Sequence, residues 1–79
     1  MEEMMGFVTG NTNRQKLLEM LGSKGDLETS RIAKNMHLAQ PSVNRLVKEL
    51  MEKELVVEKE GKCSLTELGT TIERKVQNL

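Results

Sequence analysis

Residues 39–50 read "AQPSVNRLVKEL". Val43, Leu46, Val47 and Leu50 stand at i, i+3, i+4 and i+7, the spacing that puts apolar side chains on one face of a helix. Gln40, Ser42, Asn44, Arg45 and Lys48 are left for the other face. These are polar or basic side chains of the kinds that hydrogen-bond base edges and phosphates. Such a face is either ordinary solvated helix surface or one that reads DNA, and the flanking sequence has to decide.

Upstream, "ETSRIAKNM" predicts a short helix over 28–37, opening at Glu28 or Thr29, with Ile32, Ala33 and Met36 inward. His37-Leu38-Ala39 is a turn, and Pro41 sits in the first turn of the next helix, where a missing N–H costs nothing. That helix spans 40–54. An earlier helix over 11–22 begins at Asn11, Thr12 or Asn13, turns Leu17, Leu18 and Leu21 inward, and stops at Gly22-Ser23-Lys24-Gly25. Between them Leu27 stands alone and can pair as a very short strand. Residues 1–10 are apolar but hold two Gly, and read as an N-terminal arm or an extra turn covering the core.

Downstream the texture changes. "LVVEKEGKCSL" at 55–65 is β-prone on both sides of Glu60-Gly61, a hairpin signal. Residues 66–79 return to helical spacing, with Thr66 as cap and Leu68, Ile72, Val76 and Leu79 as the apolar stripe. The expected fold is mainly α with a small β-hairpin. It has a three-helix core, a hairpin and a C-terminal helix in one domain of 79 residues.

A chain this short buries only about 60% of its surface and cannot enclose a deep substrate cavity. One Phe is the whole aromatic supply, so Leu, Val, Ile and Met must build the core. A single Cys excludes an internal disulfide framework. No signal peptide and no membrane-length apolar run is visible, so a reduced, soluble, cytoplasmic protein is expected. Formal net charge is zero, yet it is polarised along the chain. Residues 11–48 hold seven Lys/Arg against three acids, a local +4, and residues 49–60 hold five Glu against two Lys, a local −3. A local basic face is what binds phosphates.

Thr29 to Leu46 carries a helix-turn-helix pattern. Ala33 is small enough to let two helices cross closely. Val43, ten residues on, faces inward, with Ile32, Leu38 and Leu46 completing the set. A generic helical hairpin is the alternative. The short first helix, the three-residue turn and the following hairpin speak against it. On these residues the chain resembles the winged helix-turn-helix regulators, broadly the MarR- and ArsR-like families of bacteria and archaea. The matching text is "ETSRIAKNMHLAQPSVNRLVKELMEKELVVEKEGKCSLTELG", residues 28–69, over half the chain. The resemblance implies a recognition helix at Gln40–Glu54 and a wing at Val57–Leu65. Three positions depart from the family pattern: His37 and Glu54 stand where Gly is usual, and Ala39 where a Ser, Thr or Asp cap is expected.

The candidate DNA-binding residues follow. Arg45 is suited to guanine or a phosphate, Asn44 or Gln40 to adenine, with Ser42 and Lys48 on the same face. Thr29, Arg31 and Lys34 would touch backbone rather than bases, and Lys59 and Lys62 are the only basic residues of the wing. Taken singly, each reads as plain solvated surface. Glu49, Glu52 and Glu58 repel phosphate, so the far end of the helix is expected to leave the groove. One His and one Cys, His37 and Cys63, are too few for a zinc site, and no residues are spaced for catalysis, so no cofactor and no enzyme activity are expected. The expected partners are double-stranded DNA and a second copy of the chain. The dimer seam would be the stripe Leu68, Ile72, Val76 and Leu79, with Met1, Met4, Met5, Phe7 and Val8 alongside. The rival reading is a protein-interaction or assembly module, supported by zero net charge and the Glu-rich run. A weaker third is RNA binding, against which the lack of exposed aromatics counts.

Overall fold

The apolar stripes predicted for 17–21, 32–36 and 43–50 meet in one core in the computed structural model, which describes residues 1–79. The elements are α1 (Glu2–Thr9), α2 (Thr12–Lys24), β1 (Leu27–Glu28), α3 (Thr29–Met36), α4 (Gln40–Glu52), β2 (Val56–Lys59), β3 (Lys62–Leu65) and α5 (Glu67–Gln77). Leu17, Leu18 and Leu21 of α2, Ile32 of α3, and Val43, Leu46, Val47 and Leu50 of α4 are all buried. Leu55, Val56 and Cys63 close the core from the hairpin, and Ile72 and Val76 close it from α5. Ala33, Met36 and Leu38 pack against it, as the helix-turn-helix spacing requires.

The two turns around α4 explain how the chain does without Gly at His37 and Glu54. His37 holds φ 57 and ψ 42, a left-handed residue after α3. The Leu38 N–H donates to the Ala33 carbonyl at 3.0 Å and the His37 N–H to that of Lys34 at 3.4 Å. Glu54 repeats the arrangement with φ 60. Here the Leu55 N–H donates to the Leu50 carbonyl, and the Glu54 N–H to that of Met51, both at 3.0 Å. These paired bonds satisfy carbonyls that a helix end leaves without partners, and they hold a non-Gly residue in a region that disfavours it. Ala39 starts α4 without any side-chain cap, and Pro41 sits in the first turn.

The sheet has the order β1-β3-β2, all antiparallel. Leu27 faces Cys63, which anchors the short strand ahead of α3 to the hairpin. Glu60 (φ 52) and Gly61 (φ 80) are both left-handed, the turn that matches the twist of a two-residue hairpin. Thr66 fastens the hairpin base to both helices around it. Its hydroxyl donates to the Glu54 carbonyl at 2.6 Å and accepts from the Gly69 N–H at 2.9 Å. Gly69 is required by close approach, since a Cβ there would lie 2.0 Å from the Leu55 carbonyl oxygen.

Several expectations need correction. Of the two readings of residues 1–10, the arm gives way to the covering turn: α1 is an eight-residue helix with Val8 fully buried and Met4, Met5 and Phe7 packed on the core. The helical spacing of Met4, Phe7 and Val8 overrides the two Gly, and Glu2 and Glu3 favour the positive N-terminus. Gly22 does not end α2, which runs on to Lys24 and turns at Gly25, φ 83. Gly22 is instead where α5 comes close, because a Cβ would lie 2.8 Å from the Glu73 carboxyl carbon. Helix α4 stops at Glu52, two residues short of the expected end, at the turn through Glu54. The seam expected of Ile72 and Val76 is used inside the chain: they are 0% and 5% exposed, and Leu68 packs on the same core. Only Leu79 of that stripe is free, at 85% exposed.

Candidate nucleic-acid interface

Four buried residues fix the rotation of α4 about its axis, so helical spacing decides what its other faces present. Arg45 and Lys48 lie opposite the buried stripe, both exposed, with Glu52 one turn further on the same face. Asn44 leans toward the hairpin and Ser42 toward α2. The Gln40 side-chain amide donates to the Asn44 carbonyl oxygen at 3.0 Å. That bond aligns the two amides and leaves the Gln40 carbonyl and the Asn44 NH2 unused, one acceptor and one donor side by side.

Two shallow grooves flank this ridge. Thr29, Asn44, Lys48, Met51 and Glu58 line the one on the hairpin side. Asn11, Asn13, Ser42, Arg45 and Glu49 line the one toward α2. The structure therefore brings Thr29, Asn44 and Lys48 together, and Ser42 with Arg45. Arg31 and Lys34, one turn apart, are exposed on α3. Lys59 and Lys62 sit directly across from each other at the hairpin tip, outside both grooves. Like charges so placed repel, and neither is engaged in an ion pair.

The charge pattern differs from the one-dimensional count. The single ion pair of the chain joins Arg14 to Glu49, at 3.4 Å. Arg14 thus contributes little to the local +4 of residues 11–48, and Glu49 little to the acidic run. Glu52 remains the unpaired carboxylate on the outward face of α4. The Arg14–Glu49 contact, and the packing of Arg14 on Phe7, had no sequence signal beyond the presence of one Phe.

Cys63 is fully buried, and its thiol is pushed up to about 11, first by burial and then by the negative charge of Glu58. A thiol held protonated is a poor nucleophile and a poor metal ligand. His37 is exposed on the turn, away from the core. No group of three or more His, Cys, Asp or Glu is placed to hold a metal ion. No helix is long and apolar enough to cross a membrane.

A family model described as winged helix-turn-helix matches residues 14–79. No curated protein matches the chain. Among solved structures it is similar to a MarR family protein of Mycobacterium tuberculosis, with a TM-score of 0.81 and 16% identical residues. The match covers 94% of this chain and 57% of that one, so this chain spans little more than half the length of that protein. At that identity the likeness is one of fold.

Proposed function

The chain belongs to the winged helix-turn-helix family, and from that premise we propose that it binds double-stranded DNA in a sequence-specific way, as a transcriptional regulator without catalysis or cofactor. The observation that carries this reading is the outward face of α4. A fully buried stripe presents Arg45, Lys48 and the linked pair Gln40–Asn44 to solvent on a fixed helix. Placed in the major groove, Arg45 reads guanine or clamps a phosphate. The acceptor and donor left on Gln40 and Asn44 suit adenine, and Ser42 suits either. Thr29, Arg31, Lys34 and Lys48 contact backbone, and Lys59 and Lys62 bring the hairpin tip to a neighbouring phosphate. A reader of DNA works where the chromosome is, which keeps a cytoplasmic location as the expectation.

A palindromic operator needs two copies. Any pairing must use surface other than Ile72 and Val76, since both are spent in the chain's own core. The second reading is a protein-interaction module, and one observation favours it: Glu52, an unpaired carboxylate on the outward face of α4, opposes a phosphate backbone.

Selection of bound fragments from a genomic library at low salt separates the two. Under the DNA reading a preferred sequence emerges. Arg45→Ala then loses about 1–3 kcal/mol for it while staying folded. If each copy neutralises about three phosphates, affinity falls with a log–log salt slope of about −3. Glu52→Gln raises affinity for any DNA without sharpening the preference. A wild type that retains no fragment, or a slope near zero, moves the assignment to protein interaction.

A further inference from the structure

Phe7 is the one aromatic residue of the chain, and two cations face its ring. The Arg14 guanidinium carbon lies 3.9 Å from the ring centroid and the Lys53 ammonium 5.4 Å. Both are within the range in which a ring face attracts a cation, about 6 Å. The same guanidinium donates to the Phe7 carbonyl at 3.1 Å. That carbonyl lies in the last turn of α1. Gly10 and Asn11 donate instead to Gly6 and Val8, so Arg14 supplies a positive charge at the negative end of a helix. Its third arm, Nε, donates to Glu49 on α4 at 3.4 Å.

One half-buried side chain therefore joins α1, α2 and α4. Glu49 and Lys53 are one turn apart and grip the C-terminal part of α4. The residues proposed to read bases, Gln40 to Arg45, are on the other half of the same rigid helix. A small shift of the C-terminal half of α4 within its packing would carry them off line. Base-edge hydrogen bonds are sensitive to such shifts, whereas contacts to flexible phosphates are far less so. The family match begins at Arg14, so α1 and Phe7 precede the matched residues.

We propose that Arg14 and Phe7 are positioning residues for α4, and that through them α1 sets the sequence preference of the DNA-binding face. The inference rests on the DNA-reading role proposed for α4, but its mechanical half can be observed without DNA. Removing the guanidinium must loosen α1 and the second half of α4 together and leave the hairpin unchanged.

The decisive variant is Arg14→Gln with Glu49→Gln, which removes the bridge while keeping the pair's net charge at zero. Hydrogen exchange is expected to speed up over Glu2–Thr9 and over Glu49–Glu52, with β2 and β3 unaffected. Affinity for the selected sequence is expected to fall about tenfold, while affinity for random DNA and the salt slope stay as in wild type, the signature of lost base contacts rather than lost phosphate contacts. Arg14→Lys keeps the charge without the fork and falls between. Phe7→Leu keeps apolar volume but removes the ring face, and repeats the loss in milder form should the double variant not fold. Unchanged exchange in α1 and α4 overturns the proposal. So does an equal loss on selected and random DNA, which would mean that Arg14 acts only through charge. If exchange responds as expected and wild type binds no DNA, the grip on α4 stands, the link to sequence preference falls, and the function above is what fails.

Discussion

His37 and Glu54 each hold a left-handed backbone that a Cβ disfavours by roughly 1–2 kcal/mol. The hydrogen bonds around them keep the turns in place regardless. His37→Gly and Glu54→Gly are each expected to raise stability by about 0.5–1 kcal/mol, since Gly relieves the strain but adds freedom to the unfolded chain. Thermal or urea unfolding checks this. A loss of stability would mean the side chains contribute contacts that outweigh the strain. Cys63 offers a pH test. In the folded protein its proton is held up to about 11, against 9.0 for an ordinary thiol. Between those values the unfolded chain gives up the proton and the folded one keeps it, so stability is fully present below pH 9 and is lost as pH rises toward 11. Cys63→Ala should flatten that part of the stability curve. The native thiol should also react with alkylating reagents only as fast as the chain opens.

Among the elements, α3 is expected to cross α4 closely at Ala33, which packs half-buried against the core. Ala33→Leu forces a branched side chain between the two helices, with an expected loss of roughly 1–3 kcal/mol from overpacking. A variant as stable as wild type would place the crossing elsewhere. The α2–α5 contact has a different weak point. Glu73 is 6% exposed, presses on Gly22, and leaves one carboxylate oxygen without a hydrogen-bond partner. The spacing of Leu68, Ile72 and Val76 identified the inward face of α5, but nothing in that spacing marks a Glu one residue from Ile72 as buried. Its burial comes from the absence of a side chain at Gly22 on α2, where a Cβ would meet the Glu73 carboxyl. By contrast the turns of the hairpin were legible locally, because Glu60-Gly61 carries its own backbone preference.

At the scale of the whole molecule, α1 and α5 absorb the apolar surplus that would otherwise call for a second copy. Ile72→Glu with Val76→Glu is therefore expected to unfold the chain rather than release monomers. It puts two carboxylates into positions 0% and 5% exposed, each at a cost of several kcal/mol, more than a domain this small can spare. Circular dichroism and sedimentation together decide the point. Helical monomers from the double variant would return these residues to an intermolecular seam.

Sequence by itself determined what depends on neighbours along the chain. The stripe of α4, the hairpin turn and the Thr66 cap are all set by periodicity or by local backbone preference, which act within a few residues. The choice of Gln40, Asn44, Arg45 and Lys48 as outward residues follows from the same periodicity. Tertiary structure alone decided which charges cancel and which apolar residues are already used. Arg14 and Glu49 are far apart in sequence, and Phe7, Arg14 and Lys53 meet only once three helices pack. Pairing of that kind depends on distance in space, which a one-dimensional count of charge or hydrophobicity cannot contain.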